Sequence, residues 1–353
     1  MFLRHRTVRP LWVALLLSVL QAATGTAPAP SSGLINPRGI VFNPANRKVY
    51  AVDQAHATVN VVDTASQTVR TVSVGTAPVS IAVASSQVYV ANAGDGTVSI
   101  IDGTSDQVLA TVPVGAHPYS IAASPHAGLV YVTHTFNSHT TVLDVATRSV
   151  TQLTTGSADL IAIDDAAKTA YLLGYEGGTL TVLEGAGPAF RKQNAGHHAW
   201  GMAVDEATHT LYVARMGTGD VFALRGTSSS LLPAGHTPCA VAINPRTHEV
   251  YVANYADGSV TILDGETQNK LATVSVGIHP QALAVDPQRG LVYVANTFSG
   301  TVTVVDAERR KAVATLRAGT APYALAVDPG SRKLYVANEA GDQSFTIVDT
   351  TLP

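Results

Sequence analysis

The sequence predicts an all-β protein: a single β-propeller of eight blades, mostly of four antiparallel strands each, with seven blades as the alternative. Three observations carry this prediction. A tyrosine leading a short apolar run recurs at Tyr50, Tyr89, Tyr131, Tyr171, Tyr212, Tyr251, Tyr293 and Tyr335, with gaps of 39, 42, 40, 41, 39, 42 and 42 residues. Each copy divides into short runs of β-branched and apolar residues separated by Gly, Pro, Asn, Asp and Ser. No helical periodicity interrupts them. A four-stranded sheet cannot bury both faces alone, so copies at this period must stack, and radial stacking gives a propeller. A β-sandwich would not repeat its loops so faithfully.

The chain has 353 residues, of which 46% are hydrophobic and 13% charged. Its first residues do not fit the repeat. Arg4, Arg6 and Arg9 precede an apolar run from Leu11 to Leu20, followed by Ala22, Ala23, Gly25 and Ala27. This three-part pattern predicts a signal peptide over residues 1–25, cleaved between 22 and 27. The apolar run is too short to anchor in a bilayer, so no integral membrane segment is expected after its removal. Export to the periplasm, the cell surface or the medium follows. No cysteine lies near the cleavage region and Arg4-His5-Arg6 is no twin-arginine pair. Loss of the segment leaves 19 basic against 25 acidic residues, a net charge of −6. Nucleic acid is therefore not an expected partner, because phosphate neutralisation needs clustered Lys and Arg. Cys239 is the only cysteine, in the apolar stretch Pro238-Cys239-Ala240-Val241, and reads as a small core residue.

Residues 26–36 read as a linker or a short closing strand, and 37–353 as the propeller. The copy from Pro118 to Gly156 shows the unit: an apolar run Tyr119–Ala123, a turn at Ser124–Gly128, a second run Leu129–Thr133, a polar loop His134–Ser138, a third run Thr140–Leu143 ending at Asp144, and a mixed run Ser149–Leu153. Apolar inner strands and a mixed last strand suit a sheet packed between neighbours with its outer edge in water. Copies begin near Arg38, Pro78, Pro118, Asp159, Ala199, Pro238, Pro280 and Pro322. The last holds only three runs, Tyr323–Val327, Leu334–Ala337 and Phe345–Asp349. The ring must close either with a three-stranded blade or with a short strand donated from Ser31–Ile35.

Val88-Tyr89-Val90-Ala91-Asn92, Val250–Asn254, Val292–Asn296 and Leu334–Asn338, with the linking element Val74-Gly75-Thr76-Ala77-Pro78 and its echoes Val114–Pro118 and Val276–Pro280, resemble the YVTN-type β-propeller repeat. The resemblance covers nearly the whole chain after the signal segment. It implies an exported or surface protein of the surface-layer or periplasmic kind, mostly without assigned catalytic activity; lactonase-like propellers are more distant in architecture. The Trp-Asp signature of WD40 repeats is absent.

The repeated residues have structural readings. The tyrosine packs between blades and needs a partner for its hydroxyl. The Asn that follows can close an Asx-type turn. Asp63, Asp102, Asp144, Asp264, Asp306 and Asp349 end the third strands and can tie down the next turn. In an up-and-down meander, the linker into the first strand and the loop into the third emerge on one face. His117, His197, His198, His236 and His279 fall in linkers and His56, His134 and His139 in those loops, whereas His126, His209 and His248 fall on the opposite face. His117, His198 and His279 stand two residues after the linker glycine in alternate blades. They are the candidate ligands for a metal ion at the channel mouth; otherwise they bond locally in separate blades. Blades 4 and 5 depart most from the repeat, with outer strands that read as irregular around Arg191–Asn194 and Ser228–Ser230. A ring becomes a selective binder by breaking its symmetry, so His117, His134, Tyr175, His198, Trp200, Arg215 and His279 form the candidate binding face. Drift in a tolerant fold is the competing account.

No Gly-x-Ser-x-Gly elbow, His-Glu-x-x-His, Cys-x-x-Cys, phosphate loop or haem-attachment sequence occurs. The sequence therefore favours a non-enzymatic, monomeric scaffold that binds a protein, glycan or small molecule through the linker face, with no cofactor expected. A lactonase-like or metal-dependent hydrolase at the channel mouth and a copper-binding redox protein are the alternatives.

Overall fold

The computed structural model describes residues 39–351 apart from 136, 186, 188 and 340–344, together with the backbone of Val19–Leu20, which runs parallel to Leu283–Ala284. The signal and closing-strand readings of residues 1–25 and 31–35 otherwise lie outside the described residues. Within them the chain forms eight antiparallel sheets in sequence order, hence eight blades rather than seven. Blade 1 begins at Ile40, and blade 8 comprises Pro322–Asp328, Lys333–Asn338 and Phe345–Asp349. Among the described residues blade 8 thus has three strands and each other blade has four from the repeat itself.

The first strand of every blade packs against the first strands of both neighbours, blade 8 against blade 1 included, so the ring is closed. These innermost strands are almost wholly buried, Pro78–Ala84 and Pro280–Asp286 from end to end. Outer strands such as Gln107–Pro113 alternate and are largely exposed. The apolar core is distributed between blades: Tyr50, Val61, Ile81, Val88 and Ile101 fill the gap between blades 1 and 2. Ile40, Phe42, Tyr323, Ala326 and Tyr335 fill the gap where the ring closes. Nonlocal burial of this kind, not local propensity, holds the blades together.

The tyrosines do what their recurrence suggests. Tyr131 and Tyr212 donate across the blade boundary to Gly185 O at 3.0 Å and Gly265 O at 2.8 Å. Tyr335 accepts from Gln67 Nε2 at 3.2 Å, and Arg47 reaches Asp328 at 2.8 Å; both bonds span the closure. The third-strand aspartates tie their turns: Asp264 accepts from the amides of Glu266 and Thr267, and Asp144 from that of Thr147. Those bonds hold both carboxyls below the usual carboxylate range.

Two sequence expectations change. The repeat Asn closes no Asx turn. Asn254 and Asn296 accept instead from the amides of the linker glycines Gly235 and Gly277, both at 3.0 Å, and donate to hydroxyls of the adjacent third strand. The bond gives the half-buried linker amide an acceptor, and the side chain fills the space a Cβ would need at the glycine. The outer strands of blades 4 and 5 are not irregular: Phe190–Asn194 and Ser228–Pro233 pair in continuous register. The shifts fall in the outer strands of blades 2, 6 and 7, the more regular repeats.

Candidate functional site

The linker face is built from three registers that recur around the ring, the first and third of them in six of the eight blades. The first is the second residue after the linker glycine. Ala77, His117, His198, Thr237, His279 and Ala321 all take a left-handed backbone there, with φ between 47° and 56°. Histidine tolerates this region better than most side chains, which gives the recurrence of His117, His198 and His279 a conformational reason. The second register is the residue just after the repeat Asn. Its amide donates to that left-handed carbonyl, as Met216 does to His198, Tyr255 to Thr237, Thr297 to His279 and Glu339 to Ala321, all within 3.0 Å. The third is a β-bulge in the innermost strand. Register shifts at Val79, Tyr119, Trp200, Cys239, Gln281 and Tyr323 each leave one residue out of the ladder. A bulge re-aims its side chain, so in each of these six blades one residue turns out of the ladder at the linker end of the innermost strand.

Over blades 5 to 8 these registers enclose a pocket of ≈ 460 Å³. The bulges contribute Trp200, Cys239 and Gln281; the post-Asn register contributes Met216, Tyr255, Thr297 and Glu339; the left-handed register contributes Thr237, His279 and Ala321. The walls are aromatic. Tyr255 stacks on His279 with centroids 4.0 Å apart, and His279 meets Phe298 at 5.2 Å. Phe298 is 75% exposed and, with Ile278 at 55%, forms an apolar lip. Tyr175 supports Trp200 edge-on at 5.4 Å and meets His198 at the same distance.

Within the pocket, the buried Cys239 thiol donates to Pro280 O at 3.2 Å and is pushed up to about 12 by burial, so it stays neutral. Burial likewise raises the Tyr255 hydroxyl above its ordinary value. Gln281 is 5% exposed, and its side-chain oxygen has no hydrogen-bond partner among the described residues.

The seven residues singled out from sequence divide. Trp200 and His279 line the pocket, and Tyr175 and His198 pack behind Trp200. His117 is exposed at its own linker in blade 3. Arg215 is held by a two-pronged bond to Asp220 at 2.5 and 2.6 Å. His134 is buried at the end of a strand rather than placed in a loop, because it occupies the register of the repeat Asn. There its Nε2 meets Thr141 Oγ1 at 2.8 Å and its Nδ1 the Ala116 carbonyl oxygen at 3.0 Å. Among the described residues no three His, Cys, Asp or Glu side chains gather at metal-ligand spacing. On the opposite face, His126, His209 and His248 pair with the buried carboxylates of Asp165, Asp164 and Asp205, at 2.5, 2.8 and 3.0 Å. Each pair bridges two blades. Sequence reasoning missed Met216, Tyr255, Gln281, Phe298 and Glu339. The signal was present: the residue after the Asn and the residue after the linker proline vary while their neighbours stay fixed.

His134 carries a pH prediction. Burial chiefly holds its imidazole below the ordinary value; the Ala116 carbonyl acts in the other direction and nearby His139 adds to the depression. As pH falls through about 6.5 the unfolded chain takes up this proton first, so the group withdraws stability below that pH and costs nothing above it. His134→Asn restores the repeat residue. It is expected to match the parent in Tm at pH 8 and to exceed it at pH 5; a Tm difference independent of pH would contradict this.

The chain matches no family model and no curated protein sequence. Solved structures share its architecture. Hydrazine synthase of Kuenenia stuttgartiensis superposes with a TM-score of 0.62 at 19% identity, covering 81% of this chain and 99% of that one. The dihydro-heme d1 dehydrogenase NirN, solved in complex with DHE, gives 0.75 at 13% identity over 88% of this chain and 72% of its own. Apo AztD from Citrobacter koseri gives 0.65 at 12% identity over 86% and 91%. At these identities the likeness is one of fold. No helix among the described residues is long and apolar enough to cross a membrane.

Proposed function

We propose that this protein is an exported propeller that binds a small, largely apolar molecule in the pocket of blades 5 to 8, without transforming it. One observation carries the reading: three backbone registers turn aromatic and apolar side chains, Trp200, Met216 and Tyr255 among them, into one concavity of ligand size rimmed by Phe298. Binding rather than catalysis is favoured by the chemistry of the lining. Its thiol is neutral and bonded to a carbonyl, and no nucleophile there is paired with a base. The signal-like first residues support export, which would place the pocket outside the cytoplasm. The solved complex of NirN with DHE is a case of a similarly folded chain carrying a small ligand.

Trp200 offers the test. Tryptophan occurs only at positions 12 and 200, so Trp12→Phe leaves one indole, at the pocket wall. Titration with the apolar probe N-phenyl-1-naphthylamine is expected to quench Trp200 emission with saturation. Phe298→Asp, at the exposed lip, should weaken that binding about tenfold by placing a charge against apolar ligand surface. No saturable quenching, or quenching indifferent to Phe298→Asp, would reject the pocket as a binding site.

A further inference from the structure

We infer that the ligand of this pocket is an aromatic or alkyl amine carried as its protonated cation. This deepens the binding reading above and rests on it. Three features of the lining converge on that chemistry. The first is charge: among the described residues of the lining Glu339 is the one carboxylate, and the lining includes no Lys or Arg. A cavity with apolar walls focuses that negative potential on its contents. The second is the aromatic wall. Trp200, Tyr255 and Phe298 line the pocket, and the face of an aromatic ring attracts a desolvated cation through the ring quadrupole. An anion would meet the carboxylate and the rings' negative faces together.

The third feature is Gln281. Its amide sits in the bulge of blade 7, almost wholly buried, with an oxygen that accepts no bond among the described residues. A buried acceptor without a donor costs free energy comparable to a lost hydrogen bond, and a ligand N–H would remove that cost. The carboxamide lines the pocket together with Tyr255, which stacks on His279. A quaternary ammonium would satisfy the charge and the rings but not Gln281; an uncharged alcohol would satisfy Gln281 alone. A protonated amine satisfies all three, with its apolar remainder against Met216 and the Phe298 lip.

The test uses three probes of one shape: 4-biphenylmethylamine, its N,N,N-trimethyl derivative and 4-biphenylmethanol, titrated by calorimetry at pH 7. The amine is expected to bind about tenfold or more tighter than the alcohol, with the trimethyl form between them. Glu339→Gln should bring both cations to within a few-fold of the alcohol while leaving the alcohol's affinity unchanged. Gln281→Leu should weaken the amine but not the trimethyl cation. Equal affinity for amine and alcohol, or a Glu339→Gln protein that still prefers the cations, would overturn the inference while leaving a neutral-ligand pocket standing. Failure of all three probes to bind would overturn it together with the binding reading. Circular dichroism melts of both variants within a few degrees of the parent show that any loss is local.

Discussion

Tyr212→Ala is expected to destabilise the protein by about 4 kcal/mol, the range for removing a fully buried aromatic side chain. The ring is wholly buried between blades 5 and 6, among Ala203, Val241, Val250 and Leu263. Its hydroxyl donates to Gly265 O at 2.8 Å, and burial pushes it up to about 12, so it remains a donor over the whole working pH range. Tyr212→Phe keeps the ring and removes the bond, and is expected to cost only about 1 kcal/mol. Urea melts of the two variants separate the contributions. If phenylalanine were as damaging as alanine, the inter-blade bond rather than ring burial would hold this boundary. A loss below about 2 kcal/mol for alanine would mean that the gap can collapse, contrary to the close packing seen there.

The second large effect is a coupling between linker and blade. A Cβ on Gly277 would lie 2.5 Å from Asn296 Cγ and 2.7 Å from both its Cβ and its Nδ2. Gly277→Ala is therefore expected to cost about 1–3 kcal/mol through overpacking. Asn296→Ala should cost about 2–3 kcal/mol, because it strands the Gly277 amide and the hydroxyls of Thr301 and Thr303. The double variant removes the Cγ and Nδ2 contacts of that clash and leaves only the contact with the residue's Cβ. Its loss should fall short of the sum by about 1 kcal/mol or more, measured by denaturant midpoints across the four proteins. Strict additivity would show that glycine and asparagine recur together for unrelated reasons.

That coupling also explains which parts of the site were legible. Glycine and asparagine recur because each fills the other's space, so the repeat advertises the scaffold and hides the site. His134 and Arg215 stand where other blades have asparagine, and looked distinctive for that reason. In three dimensions they replace its job, His134 by bonding Thr141 and Arg215 by clamping Asp220. Tyr255 and Gln281 lie in two of the most regular copies, so a search for broken symmetry passed over them. Each is one residue beyond a conserved-looking landmark, at a register whose direction only the bulge and the left-handed linker reveal.

The sequence by itself determined the architecture: eight tyrosines at a constant period dictate eight units, and four apolar runs per unit dictate a meander. Both follow from local alternation and from the need to bury sheet faces, which are properties of short segments. It also determined the role of the third-strand aspartates, whose partners lie within a few residues. Only the tertiary structure decided which side chains meet. Trp200 and Glu339 are 139 residues apart along the chain and line one pocket because their blades are separated by only part of a ring. It decided equally that His117, His198 and His279 share a backbone register in three separate blades. Direction at a ring's centre is set by backbone twist, bulges and the stacking of whole blades, and none of these is written in the spacing of a single repeat.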